Sequence, residues 1–181
     1  MNKGFFFDRD GIINKLVNDK NILRPPHNLS ELKLNYEIFD SIKFLKNRFK
    51  VFVVSNQPDV ARGNLKLNDL EIINEKINNE LKFLEIVCET EDNSLHKKPS
   101  PYMLNQLIKK YDIEKSSSWI LGDRWVDIEA GFHAGINTIL LKNDYSFKDT
   151  SAGSHNKKIK PDVEINNLNE FHVLITKKFQ R

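Results

Sequence analysis

Short apolar runs that alternate with helix-like stretches restrict the architecture of this chain more than any other feature. The runs fall at residues 4–7, 51–54, 84–88, 119–121, 138–141 and 162–165. Stretches with helical spacing of apolar residues fall between them, near 37–47, 67–81, 102–111, 125–134 and 168–177. Strands joined through helices pair in parallel and are covered on both faces, so they read as continuous apolar segments. The alternation predicts an α/β fold with a mostly parallel central sheet. A length of 181 residues suits one compact domain, 1–181, with a full core. Two stretches break the pattern. Residues 17–34 contain Pro25 and Pro26, and residues 143–160 are polar with Gly153, which reads as a mobile loop.

Charge and cysteine content exclude several classes. Lysine and arginine total 28 against 25 acidic residues, a formal charge of +3 and too small an excess to imply nucleic acid. Cys88 is the one cysteine, so no intramolecular disulfide forms. The apolar run after Met1, Asn2 and Lys3 is too short for a signal peptide or a membrane span, and the expectation is a cytoplasmic protein.

The chemistry gathers where apolar runs end. Phe5, Phe6 and Phe7 lead into Asp8, Arg9, Asp10 and Gly11. Carboxylates at the end of a buried strand cost several kcal/mol unless paired or holding a metal. A polar turn with Asp capping the next segment is the plainer alternative. Trp119, Ile120 and Leu121 lead likewise into Gly122 and Asp123, with Asp127 four residues on. Ligands of doubly wound sheets bind at the carboxyl ends of the strands. If these two strands are neighbours, Asp8, Asp10 and Asp123 converge, and such an oxygen set suits Mg²⁺. Asp123 also fits a helix N-cap. A third run, 51–54, ends at Ser55, Asn56 and Gln57, where the Ser and Asn side chains and free backbone N–H groups suit phosphate oxygens, or the segment is simply a polar loop. Lys98 precedes Pro99 at the start of another helix, from which an ammonium can reach a phosphate.

Four separated elements in this order, Asp8-Arg9-Asp10-Gly11, Ser55-Asn56, Lys98-Pro99 and Gly122-Asp123 with Asp127, resemble the haloacid dehalogenase (HAD) superfamily of phosphotransferases. Phe7-Asp8-Arg9-Asp10-Gly11-Ile12-Ile13-Asn14, then Val54-Ser55-Asn56-Gln57 with Ala61-Arg62-Gly63, then Lys97-Lys98-Pro99-Ser100-Pro101, look like the D-glycero-D-manno-heptose 1,7-bisphosphate phosphatases and the related histidinol-phosphate phosphatases. The resemblance implies a Rossmann-like three-layer sandwich without a cap domain. It departs from the pattern at Ile12, where the family usually has Thr, at Pro58-Asp59 in place of Ser-Gly, and at Tyr102 in place of Gly. Many relatives carry a zinc loop of three Cys and one His, whereas here only Cys88 and His96 lie in that region, so no structural zinc is expected.

The resemblance also implies roles. Asp8 attacks phosphorus, and Asp10 protonates the leaving oxygen and then activates water. Mg²⁺ is held by Asp8, the Asp10 carbonyl and Asp123, with Asp127 behind them. Ser55, Asn56 and Lys98 stabilise the phosphoryl group. Arg62, and with less reason Arg24, are candidates for a distal anion of a small phosphorylated sugar. Heptose 1,7-bisphosphate, losing its phosphate at carbon seven, is the expected substrate, and histidinol phosphate is the alternative. In another class, Asp-X-Asp also holds the metal of some sugar-nucleotide transferases, which leaves Lys98 unexplained. Neither nucleic acid nor membrane is expected as a partner, and the molecule is expected to be a monomer or small homo-oligomer.

Overall fold

A computed structural model describes residues 2–148 and 155–180. Its centre is a six-stranded sheet in the order β5-β4-β1-β6-β7-β8, with every neighbouring pair parallel. The strands are β1 (Asn2–Phe7), β4 (Lys50–Asn56), β5 (Glu85–Glu89), β6 (Ile113–Gly122), β7 (Asn137–Leu141) and β8 (Val163–Ile165). The chain runs outward from β1 to β5, then crosses back to β6 and runs outward to β8, so its winding direction reverses beside β1. That reversal opens a crevice at the carboxyl ends of β1, β4 and β6.

The two-residue period of β1 builds both cores at once. Phe5 and Phe7 point to one face, where α1 (Phe39–Lys46), α2 (Leu67–Leu81) and α5 (Leu168–Lys178) supply Ile42, Ile73 and Phe171. Phe6 points to the other, against α3 (Tyr102–Lys110) and α4 (Trp125–Ala134). All three rings are fully buried, and burying one such side chain contributes about 1.5–3 kcal/mol. Phe6 stacks on Phe52 at 5.1 Å, while Phe5 meets Phe171 edge-on at 5.8 Å. The layers are therefore helices, sheet, helices, and no cap domain is present among the described residues.

Two differences from the sequence reading stand out. Residues 17–34 hold an antiparallel hairpin, β2 (Val17–Asp19) and β3 (Ile22–Arg24), where an irregular segment was expected. Its turn residues Lys20 and Asn21 are both left-handed, at φ 51° and 70°, the backbone of a tight hairpin turn without glycine to announce it. Residues 143–148, within the expected mobile loop, fold onto α4 through the Trp125 N–H bond to the Ser146 carbonyl at 2.9 Å. Gly153 lies outside the described residues.

Candidate active site

The register of the sheet assembles the acidic residues. Phe7 pairs with Val53 on one side and Leu121 on the other, and the Asp8 N–H continues the ladder to the Leu121 carbonyl at 2.9 Å. Asp8 thus stands level with Val54 and Gly122. Lys98 Nζ reaches the same point from the segment before α3, donating to the Val54 carbonyl at 2.8 Å and to Asp8 Oδ1 at 2.6 Å. It also lies 2.6 Å from Asp127 Oδ1. One oxygen from each of Asp8, Asp123 and Asp127 falls within 4.8 Å of the others, and all three residues are buried.

Two glycines make this convergence possible. Gly11 sits at φ +93°, and a Cβ there would come 1.9 Å from Asp123 Oδ2. A Cβ on Gly122 would come within 2.2–2.4 Å of the Asp127 side chain. Asp123 does not cap α4. The cap is Arg124, whose N–H donates to Asp127 Oδ2 at 3.1 Å. Asp123 is left to point inward, with Oδ2 accepting from the Tyr145 hydroxyl at 2.7 Å.

The electrostatics are those of a cation site. Burial, aided by Asp127 and Asp10 and opposed by Lys98, pushes the Asp8 carboxyl up to about 7. Burial, with Asp8 and Asp127, raises Asp123 well above the usual carboxylate range. Burial alone would lower Lys98, but Asp127 and Asp8 outweigh it and hold the ammonium above its ordinary value. Three carboxylates face one ammonium, and buried Asp123 Oδ1 has no hydrogen-bond partner. An all-oxygen set with excess negative charge and an unpartnered oxygen fits a hard divalent cation such as Mg²⁺.

Asp10 belongs to a separate network. Its Oδ1 accepts from Asn14 Nδ2 at 2.9 Å, and its Oδ2 accepts from Arg9 Nη2 at 3.0 Å and Gln57 Nε2 at 2.6 Å. Arg9 is fully buried and also donates to Gln57 Oε1 at 2.9 Å and Asn74 Oδ1 at 3.1 Å. Gln57 Nε2 further reaches Ser55 Oγ at 2.7 Å. The Asn56 side chain is committed to the backbone of Lys98, donating to its carbonyl at 2.8 Å and accepting its N–H at 2.9 Å. Asn56 therefore acts on the placement of Lys98.

Asp8, Asp10, Ser55, Asn56, Lys98 and Asp127 line a cleft of about 440 Å³, which Arg24, His27, Arg62, Lys97 and Arg124 also line. Most of these basic side chains are already engaged. Arg62, expected to offer a spare fork, donates from Nε and Nη2 to both oxygens of Asp92 at 2.8 and 2.7 Å. Arg24 grips Glu31 through two bonds, at 2.8 and 2.9 Å, and holds that carboxyl down at about 2. His27 Nε2 lies 3.0 Å from Asp59 Oδ2. A distal anion has to compete with Asp92 for Arg62. Outside the cleft, Cys88 is half-buried beside Asn74, and His96 stacks on Tyr102 at 3.7 Å.

Arg9, Gln57, Asn74, His27 with Asp59, Arg124 and Tyr145 carry the site's supporting bonds and were not singled out from the sequence. Arg9 and Gln57 sit inside recognisable motifs, which was an available signal. Tyr145 lies 22 residues from its partner Asp123 in a polar loop, and nothing local marks it.

Comparison with known proteins places the chain in a family. A family model described as "HAD-hyrolase-like" matches residues 96–171. The D-glycero-alpha-D-manno-heptose-1,7-bisphosphate 7-phosphatase of Photorhabdus laumondii is 31% identical over 152 residues, covering 75% of this chain and 80% of the relative. The chain belongs to the HAD phosphatases of the heptose-bisphosphate subgroup. A second relative in this subgroup, the D-glycero-beta-D-manno-heptose-1,7-bisphosphate 7-phosphatase of Helicobacter pylori, is 30% identical over 154 residues, covering 78% of this HAD phosphatase and 86% of that one. A solved structure of the D,D-heptose 1,7-bisphosphate phosphatase from B. bronchiseptica, complexed with magnesium and phosphate, superposes with a TM-score of 0.78. It is 20% identical and covers 97% of this chain and 99% of its own, so the likeness speaks for the fold.

Proposed function

We propose that this HAD phosphatase hydrolyses a small sugar phosphate through a phosphorylated Asp8, with heptose 1,7-bisphosphate as substrate and its phosphate at carbon seven as the group removed. The observation that carries the chemistry is the ion cluster in which Lys98 Nζ lies 2.6 Å from both Asp8 and Asp127, beside Asp123. Lys98 takes up negative charge on the transferring group, and Asp8 Oδ presents the nucleophile at the floor of the cleft. Asp10 gives a proton to the leaving oxygen and then takes one from the water that cleaves the acyl phosphate. Arg9 and Gln57 hold the Asp10 carboxyl group in place for both steps, and Ser55 with the nearby backbone supplies hydrogen bonds to phosphoryl oxygens. Asp8, Asp123 and the Asp10 carbonyl, with Asp127 beside them, would hold Mg²⁺. When bound, Mg²⁺ neutralises phosphate charge and allows Asp8 to stay ionised at neutral pH. All of this machinery lies within one domain, 1–181.

The heptose reading is supported by the two relatives at 30–31% identity, whose names specify opposite anomers of the sugar. It is supported also by the basic side chains Arg24, Arg62, Lys97 and Arg124 along the cleft, where the second phosphate would take Arg62 in exchange for Asp92. The test compares kcat/KM on heptose 1,7-bisphosphate, fructose 1,6-bisphosphate and histidinol phosphate, in the parent and in Arg62→Ala. Heptose bisphosphate should lead by at least tenfold, about 1.4 kcal/mol of discrimination, and Arg62→Ala should erode that lead. Preference for histidinol phosphate counts against the substrate. Asp8→Asn should lower kcat at least about 10⁴-fold. Substantial turnover in purified Asp8→Asn rules out the covalent route.

A further inference from the structure

We infer that Tyr145 is a positioning residue for the cation site, setting the orientation of Asp123 and with it the affinity for the divalent ion. The inference rests on the reading of Asp8, Asp123 and Asp127 as that site. The Tyr145 hydroxyl donates to Asp123 Oδ2 at 2.7 Å. A carboxylate has two oxygens, and with Oδ2 taken the other is left for an ion: Asp123 Oδ1 is buried and has no hydrogen-bond partner. Backbone packing crowds the same oxygen, since the space a Cβ on Gly11 would fill is occupied by Asp123 Oδ2. A donor and a close-packed glycine thus both fix Oδ2, and with it the orientation of the carboxylate.

The hydroxyl is itself well fixed. Tyr145 rides on a turn in which the Ser146 N–H bonds the Asn143 carbonyl at 3.1 Å and the Asn143 N–H bonds Ser146 Oγ at 2.9 Å. The Trp125 N–H to the Ser146 carbonyl ties that turn to the first residue of α4, two positions after Asp123. The Arg124 guanidinium lies 5.5 Å from the centre of the Tyr145 ring. The ligand and its orienting partner are therefore parts of one rigid unit, although the sequence separates them by 22 residues. A hydroxyl that preorients a ligand removes the cost of ordering it when the ion arrives, and loss of such a partner weakens metal affinity by about 10–100-fold.

The test is Tyr145→Phe, which keeps the ring and deletes the donor. Mn²⁺ and Mg²⁺ are titrated into metal-free protein by calorimetry, with Mn²⁺ binding also read by water-proton relaxation. The parent should bind one ion, and Tyr145→Phe should bind it at least tenfold more weakly while keeping the parent's far-UV circular dichroism. Phe147→Ala, an exposed residue of the same segment, should leave the affinity unchanged and so separates orientation from general loosening of the loop. Should Tyr145→Phe lose its fold, Tyr145→His retains a donor on a smaller ring and should bind between the parent and Tyr145→Leu. Affinity within twofold of the parent in folded Tyr145→Phe, or an equal loss in Phe147→Ala, overturns the assignment. A parent that binds neither ion refutes the cation site itself.

Discussion

At the scale of single residues, the site is an excess of carboxylates confined in a dry place. The unfolded chain releases the Asp8 proton near pH 3.8, and the folded, metal-free chain keeps it to about 7. The folded state therefore binds more protons throughout that window, and stability falls as pH rises through it. Asp123 shifts the same way, which deepens the fall. The melting temperature of chelator-treated protein should drop by several degrees between about pH 5 and 8, at roughly 2–4 °C per kcal/mol for a chain of this size. Excess Mg²⁺ should restore more stability at the upper end than at the lower, because there the ion need not displace a proton. A melting temperature that rises over this range without metal would contradict the assigned environment of Asp8. Lys98 contributes no slope here, since its ammonium is held charged beyond the window.

At the scale of elements, the junction between β6 and α4 decides whether Lys98 meets its partners. Gly122 lets the strand end against the first turn of α4, and Asp127 occupies the space a side chain would need. Gly122→Ala should displace Asp127 from Lys98 and from the Arg124 N–H, destabilising the fold by about 1–3 kcal/mol as overpacking does. Activity should fall at least tenfold, through kcat. A variant with the parent's melting temperature and kcat would show that the junction has slack the geometry denies. The β2–β3 hairpin is the other element that shapes the cleft. It contributes Ile22, Leu23 and Arg24 to the wall, and Arg24 anchors it through Glu31.

For the molecule as a whole, β1 joins the two halves of the sheet, and both helical layers pack on its three phenylalanines. The two larger cores both include β1, and the remaining buried cluster among the described residues, Ile128, Leu140 and Ile159, is too small to fold alone, so the chain should unfold in one cooperative step. Calorimetric and van't Hoff enthalpies should agree, and two resolved transitions would argue for separate units. The same centrality explains what was legible beforehand. The period of apolar runs alone determined the α/β class, because a strand covered on both faces has to be apolar throughout. The strand ends marked Asp8, Asp10 and Asp123, because charge at the end of a buried strand has few structural uses, and the family resemblance added Lys98 and Asp127. Only the tertiary structure decided which partners those charges take. It committed Asn56 to the Lys98 backbone, gave Arg62 to Asp92, tied Asp10 to Arg9 and Gln57, and brought Tyr145 to Asp123. Local sequence encodes the pitch of a helix or the faces of a strand over a few residues. A hydrogen bond across 22 or 47 positions depends on where the whole sheet sets two loops down.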